Sequence, residues 1–190
     1  MRMELERLYR KESKIEGDKV FLRPIQSEDV EALLDIYGDE SVYRYRPGMP
    51  RKTLPLIQKL LKRMQREEEE RKAFYYAVCE KKEGNAVVGI VEIFNVDGRT
   101  EQVEIGYTIA PNRQGQGLAS EAIGVLTDYL ICQVGLNRVR AMVHVDNIAS
   151  QKALLKNGFQ KEGTERQGEF WQGVGFVDVC RFAKLRIDYD

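Results

Sequence analysis

The chain has little of what builds metal centres or disulfide frameworks. Its 190 residues include one histidine, one tryptophan and three cysteines, Cys79, Cys132 and Cys180. The cysteines are odd in number and far apart, with no Cys-x-x-Cys pair and no histidine cluster beside them. That excludes a zinc ribbon and a disulfide scaffold, and leaves buried free thiols in a reducing compartment, with no metal site expected. Net charge is also missing. The 30 basic residues balance the 30 acidic ones, so no positive field exists to neutralise a phosphate backbone, and no nucleic-acid partner is expected. No window approaches the roughly 18 consecutive apolar residues of a membrane span, and the opening MRMELERLYRKE lacks the apolar stretch of a secretory signal. The expectation is a cytoplasmic protein without a membrane partner.

What is present suits one globular unit. A hydrophobic content of 43% supplies a full core for a single domain over residues 19–190, preceded by a charged arm or short helix over 1–18 whose apolar handles are Leu5 and Leu8. No internal repeat or low-complexity linker interrupts it. Val20 to Pro24 reads as a first strand. Ser27 is placed as the N-cap of a helix that ends at Gly38. Residues 39–51 form an ordered loop or broken helix with Tyr43, Tyr45 and Arg46, and Leu56, Ile57, Leu60, Leu61 and Met64 mark a second helix. Strands over 73–80 and 86–96 follow, and with a strand around Glu104 they form an antiparallel meander.

The most telling stretch runs from Glu104 to Ala122. Val103, Ile105, Tyr107 and Ile109 alternate with Glu104, Gly106, Thr108 and Ala110, the period-2 pattern of a half-buried strand with the first set facing the core. From Gly117 the period becomes 3.6, with Leu118, Ala122, Ile123, Leu126, Tyr129 and Leu130 on one stripe up to Gly135. Gly115 and Gly117 lie just before that helix, where unpaired amides and the helix dipole favour an anion. A Walker loop would need Lys and then Ser or Thr after the glycine, and Leu118 and Ala119 stand there. A dinucleotide fingerprint needs a third glycine, and Ser120 stands there.

The loop Gln114-Gly115-Gln116-Gly117-Leu118-Ala119 does fit Gln/Arg-x-x-Gly-x-Gly/Ala, and here the chain resembles the GNAT superfamily of acetyl-CoA-dependent N-acetyltransferases. Downstream, Asn147-Ile148-Ala149-Ser150 and Asn157-Gly158-Phe159 are similar to that family's Asn-x-x-Ser/Ala helix. The order of these motifs, closing on Phe176-Val177-Asp178-Val179, best resembles the branch of the RimJ/RimL ribosomal-protein N-terminal acetyltransferases, over residues 19–185. The fold class implied is α+β, a mixed sheet of roughly seven strands, splayed at its centre and flanked by about four helices. The resemblance further implies that the pantetheine arm of acetyl-CoA lies in the splay beside Thr108, Ile109 and Ala110. Its diphosphate would lie on the Gln114–Ala119 loop, which includes Gly115, Gln116, Gly117 and Leu118, with Asn147, Ser150 and Lys152 as further contacts.

Acetyl transfer requires a neutral amine, and an amine of pKa near 10 must lose a proton first. Glu104 is the first candidate for that base, directly or through water, and Glu92 the second. Ser150 is a candidate donor to the leaving sulfur. Many relatives carry a tyrosine four residues later, where this chain has Leu154, which cannot donate. Arg113 reads as solvent-exposed, His144 as structural and Cys132 as packing. Tyr43, Tyr45, Arg46, Glu92 and Trp171, the last in a glycine-rich loop, are expected to frame the acceptor. That acceptor is a protein N-terminus or a small amine. The sequence leaves a homodimer open. The alternative reading is a non-catalytic acyl-CoA-binding sensor on the same fold.

Overall fold

The computed structural model describes residues 2–189, and side chains from residue 6 onward except at position 83. Among the described residues are five α-helices and eight strands. In chain order they are α1 (Arg2–Arg10), β1 (Ile15–Glu16), β2 (Val20–Pro24), α2 (Val30–Tyr37), α3 (Leu54–Glu69), β3 (Ala73–Glu80), β4 (Ala86–Asp97) and β5 (Gln102–Ile109). They are followed by α4 (Leu118–Asp128), β6 (Arg138–His144), α5 (Ile148–Lys156), β7 (Gln160–Trp171) and β8 (Gly175–Leu185). The seven strands and four helices expected from sequence are all there. The arm forms a short helix, one of its two expected forms, with Leu8 buried in the core, and the one addition is β1, whose two residues pair with Leu22 and Phe21.

The strands form one sheet in the order β1-β2-β3-β4-β5-β6-β8-β7. The meander β3-β4-β5 is antiparallel as expected. β5 and β6 are parallel, and they pair only at Gln102–Arg138, Val103–Val139 and Glu104–Arg140. Beyond Glu104 the two strands part, and the gap between them is the feature on which the site is built.

Each face of the sheet has its own core. On one, Val103, Ile105 and Ile109 pack under Leu118, Ala122, Ile123, Leu126, Tyr129 and Leu130 of the α4 stripe, with Leu154 of α5 beside them. On the other, α2 and α3 bring Leu33, Ile36, Ile57, Leu60, Leu61 and Met64 onto β2, β3 and β4. With apolar cover on both sides, β3 is buried along its full length. Each large side chain taken wholly from water contributes about 1.5–3 kcal/mol, so the α4 stripe holds the Gln114–Ala119 loop firmly to the sheet.

Several local expectations need correction. Gln26, not Ser27, caps the turn before α2, and its N–H is held by the Asp29 carboxylate at 2.8 Å, which also pairs with Arg23. Leu56 is exposed, because the apolar stripe of α3 passes through Ile57 instead. A π-turn over Tyr129–Gln133 follows α4, and its extra residue per turn keeps Leu130 and Ile131 inside while turning Cys132 out, so that thiol is not a packing group. Trp171 closes β7 and is 5% exposed, rather than sitting in a loop. Its strand runs long because two irregularities in the β7–β8 register absorb the polar sequence. No helix among the described residues is long and apolar enough to cross a membrane.

Candidate active site

Where β5 and β6 separate, the molecule opens on both sides. A cavity of about 810 Å³ lies toward β4, β6 and the β7–β8 hairpin. A groove of about 520 Å³ runs from the gap along the Gln114–Ala119 loop to the start of α4. The linings of the two share Tyr45, Arg46, Tyr107, Thr108, Asn147 and Ser150, so one space continues into the other at the split in the sheet.

The groove follows the glycine loop. Gly115 and Gly117 have φ of +74° and +81°, a conformation that side-chain-bearing residues reach only with strain. A Cβ built on either would meet no protein atom within 4 Å, so the space above the loop is open to a ligand that approaches the backbone. Gln114 secures the loop by donating from its side chain to the Ile109 carbonyl at 3.0 Å. Arg113 is not a free surface arginine: it ion-pairs with the buried Glu80 and lines the groove.

Thr108, Ile109, Gln114, Gly115, Gly117, Leu118, Ala119, Asn147 and Ser150 all line this groove, whereas Ala110, Gln116 and Lys152 do not. The reasons are local. Ala110 is buried, its N–H bonds the Val88 carbonyl and its own carbonyl accepts from Arg113 N, so it has no backbone group to offer. Gln116 reaches back to the Asn112 carbonyl at 3.4 Å, and Lys152 lies on the exposed side of α5. The bond from Ala110 also sets the parity of the strand. An antiparallel ladder alternates, so β4 takes the backbone groups of Thr108 and Ala110, and those of Tyr107 and Ile109 turn to the gap. An amide-bearing arm in the gap would therefore meet Tyr107 and Ile109 rather than Thr108 and Ala110.

The cavity is the polar side. Glu104 is 4% exposed, with Asn95 Nδ2 donating to it at 3.3 Å and the guanidiniums of Arg140 and Arg181 at 3.6 and 3.7 Å. Arg181 also grips Glu165 through two hydrogen bonds of 2.9 and 3.0 Å, which hold the Glu165 carboxyl below the usual carboxylate range. Glu92 faces the same cavity from β4, directly across from Gly106. A Cβ at Gly106 would fall 2.4 Å from its Oε1 and 2.8 Å from its Cγ, so that glycine makes room for the Glu92 carboxylate. Burial pushes the Glu92 carboxyl above its ordinary value of 4.5, and this outweighs the opposing pull of Arg46. Arg46 donates to Thr108 Oγ1 at 2.5 Å, which sets a cation at the mouth between the two spaces.

Tyr45, His144 and Trp171 form a wall of tilted rings in contact, with centroids 5.5 and 5.0 Å apart. His144 Nδ1 accepts from Asp146 N at 3.1 Å, so His144 lines the cavity with its orientation set by the backbone. Tyr43, expected beside the acceptor, lies outside both linings: its hydroxyl donates to the Tyr37 carbonyl at 3.2 Å and accepts from Arg51 at 3.0 Å.

On the far side of the gap, Asn147 caps α5 by accepting from Ser150 N at 3.2 Å. Tyr107 lies on the core face of β5, as its alternation predicts, but its hydroxyl crosses the gap to lie 2.5 Å from Ser150 Oγ. Leu154 is fully buried in the core and touches neither space. Sequence reasoning therefore missed Tyr107, Arg140, Arg181 and His144. The strand pattern marked only the face of Tyr107, not its reach, and the arginines act through strands remote in sequence.

The GNAT acetyltransferase domain model matches residues 19–160. The chain belongs to the GNAT acetyltransferase family. It is an acetyl-CoA-dependent N-acetyltransferase. Over 172 residues it is 30% identical to the N-acetyltransferase p20 of Bacillus licheniformis, covering 90% of this chain and 96% of that one. Over 173 residues it is 29% identical to the N-acetyltransferase YoaA of Bacillus subtilis, with 90% and 97% covered. Among solved structures, RimJ of Mycobacterium smegmatis in complex with CoA-disulfide superposes with a TM-score of 0.78 at 23% identity, over 87% of this chain and 81% of that one. That likeness is one of fold.

Proposed function

We propose that this acetyltransferase moves acetyl from acetyl-CoA directly to a primary amine held in the 810 Å³ cavity, within a single ternary complex. The observation that carries the reading is the continuity of groove and cavity at Tyr107, Thr108, Asn147 and Ser150. Two ligands entering from opposite sides of the sheet would meet there, and proximity and orientation replace covalent relay through the protein. No cysteine lines either space among the described residues.

Acetyl-CoA supplies the activated thioester. The residues present suit it: an open glycine cradle at the start of α4, and the backbone of Tyr107 and Ile109 turned into the gap. In this reading Gly115, Gly117, Leu118 and Ala119 bind the diphosphate with main-chain donors, and Asn147 orders the first turn of α5. Glu104 takes the proton of the acceptor ammonium, directly or through a water. The Asn95, Arg140 and Arg181 groups around it fix the carboxylate at the cavity wall. Glu92, Tyr45, Arg46 and Trp171 frame the acceptor. The cavity holds more than a lone methylamine-sized group and is lined by both charge signs, which suits the N-terminus of a peptide or a small polar amine.

Initial rates measured with acetyl-CoA and an accepted amine varied together should give intersecting lines in a double-reciprocal plot. Parallel lines, the mark of an acetylated enzyme, would overturn the ternary-complex reading.

A further inference from the structure

We infer that Tyr107 is a positioning residue for the leaving group: its phenol donates to Ser150 Oγ and so frees the Ser150 hydroxyl hydrogen to bond the departing sulfur. This rests on the acetyl-transfer reading above. The geometry that carries it is the 2.5 Å contact between the two hydroxyls, which spans the gap between β5 and α5 where groove and cavity join. The longer contact of 3.3 Å from the phenol to the Ser150 carbonyl keeps the ring turned to that helix turn.

The direction of the short bond follows from acidity. A phenol is a far stronger donor than an alkyl hydroxyl, so the phenol gives its hydrogen to Oγ and the serine keeps its own for a further acceptor. Ser150 N–H is already used by the Asn147 cap, which leaves the hydroxyl as the polar group that residue can offer. Burial pushes the Tyr107 phenol up to about 12, so it stays protonated at neutral pH and remains a donor through the cycle. It does not give up that proton to a thiolate, which is a weaker base than the buried phenolate. Once Glu104 has taken the ammonium proton and passed it to water, the neutral amine attacks: the C–N bond forms, the C–S bond breaks with its electron pair left on sulfur, and the second proton shed by the nitrogen goes to the carboxylate again. The two hydroxyls stabilise the thiolate by hydrogen bonding alone, and it takes its proton from water afterwards. This supplies a donor chain from β5 where Leu154, sealed in the core, cannot act.

The test uses coenzyme A itself and needs no turnover. The thiolate of the bound cofactor is followed by its ultraviolet absorbance against pH, after subtraction of the unliganded protein, in the parent chain, Tyr107→Phe, Ser150→Ala and the double variant. The expected result is a bound thiol more acidic than free coenzyme A. Its pKa should rise by about one unit in Tyr107→Phe, the size of one lost hydrogen bond to a charged group. Ser150→Ala should give a comparable rise, and the double variant little more. In turnover, Tyr107→Phe should lower kcat about tenfold with KM for acetyl-CoA unchanged. The phenylalanine keeps the buried ring, and Ser150→Ala probes the same link from the other side. A shift in Ser150→Ala with none in Tyr107→Phe overturns the role of Tyr107. Failure of coenzyme A to bind at all would remove this role together with the acetyl-transfer reading beneath it, whereas binding with an unchanged titration removes the role alone.

Discussion

Replacing Glu104 with glutamine separates chemistry from folding in this site. The side chain keeps its shape, and Asn95 keeps an oxygen to donate to, but the charge facing Arg140 and Arg181 at 3.6 and 3.7 Å disappears. Arg181 retains its two bonds to Glu165, and both arginine side chains are 34% exposed, so water screens much of what is lost. The stability cost should be about 1 kcal/mol, or a fall of about 2–4 °C in melting temperature for a chain of this size. Removing a general base costs about 10²- to 10⁴-fold in rate, equivalent to about 3–5 kcal/mol of barrier. The chemical effect should therefore far exceed the structural one. Thiol release at saturating acetyl-CoA, calorimetric affinity for acetyl-CoA and a melting curve, all on one preparation, read the three quantities. The expected pattern is unchanged affinity, a small drop in melting temperature and a rate loss at neutral pH that shrinks as rising pH deprotonates the amine. Full turnover across pH in Glu104→Gln would show that Glu104 is not the base.

Other expectations follow from neighbouring features. Glu92→Gln should raise the melting temperature at neutral pH. The folded pKa of Glu92 lies above 4.5, so the stability its protonated form provides is complete below that value and is lost as pH rises through the folded pKa. The gain in the variant should vanish in acid, and a lower melting temperature at pH 7 would refute the burial argument. Gly106→Ala should displace the Glu92 side chain, since the added carbon would fall 2.8 Å from its Cγ. It is expected to weaken amine use while leaving acetyl-CoA affinity intact. Gly117→Glu should abolish calorimetric acetyl-CoA binding by placing a carboxylate in the anion cradle and straining a backbone at φ +81°. Leu154→Tyr should lose about 1–3 kcal/mol of stability by overpacking without gaining rate, because position 154 is sealed in the core.

Much of this architecture was legible because two strong periodicities abut. The alternation through Val103, Ile105 and Ile109 and the helical stripe from Leu118 to Leu130 locate β5, α4 and the turn between them, and the glycines in that turn explain themselves through positive φ. Short-range chemistry was also readable, as at Asn147, whose side chain caps α5 from within its own segment. What escaped depends on register across distant segments. The two residues of β1 have no periodicity to read. The pairing of Glu104 with Arg140 follows from a parallel register between strands more than thirty residues apart, and Arg181 reaches the same carboxylate from β8. Tyr107 shows the limit of a two-state reading of burial. Its ring belongs to the core face, as the alternation says, yet its hydroxyl emerges where the sheet splits, and no pattern in the strand signals where its neighbour departs.

The most direct test is a calorimetric titration of the purified protein with acetyl-CoA, followed in the same sample by free-thiol release against a panel of peptide N-termini and small amines. The account predicts saturable binding, and thiol release that depends on one class of acceptor. Binding with no release from any amine would contradict transfer and leave a cofactor-sensing module, while no binding would contradict the reading of the groove itself.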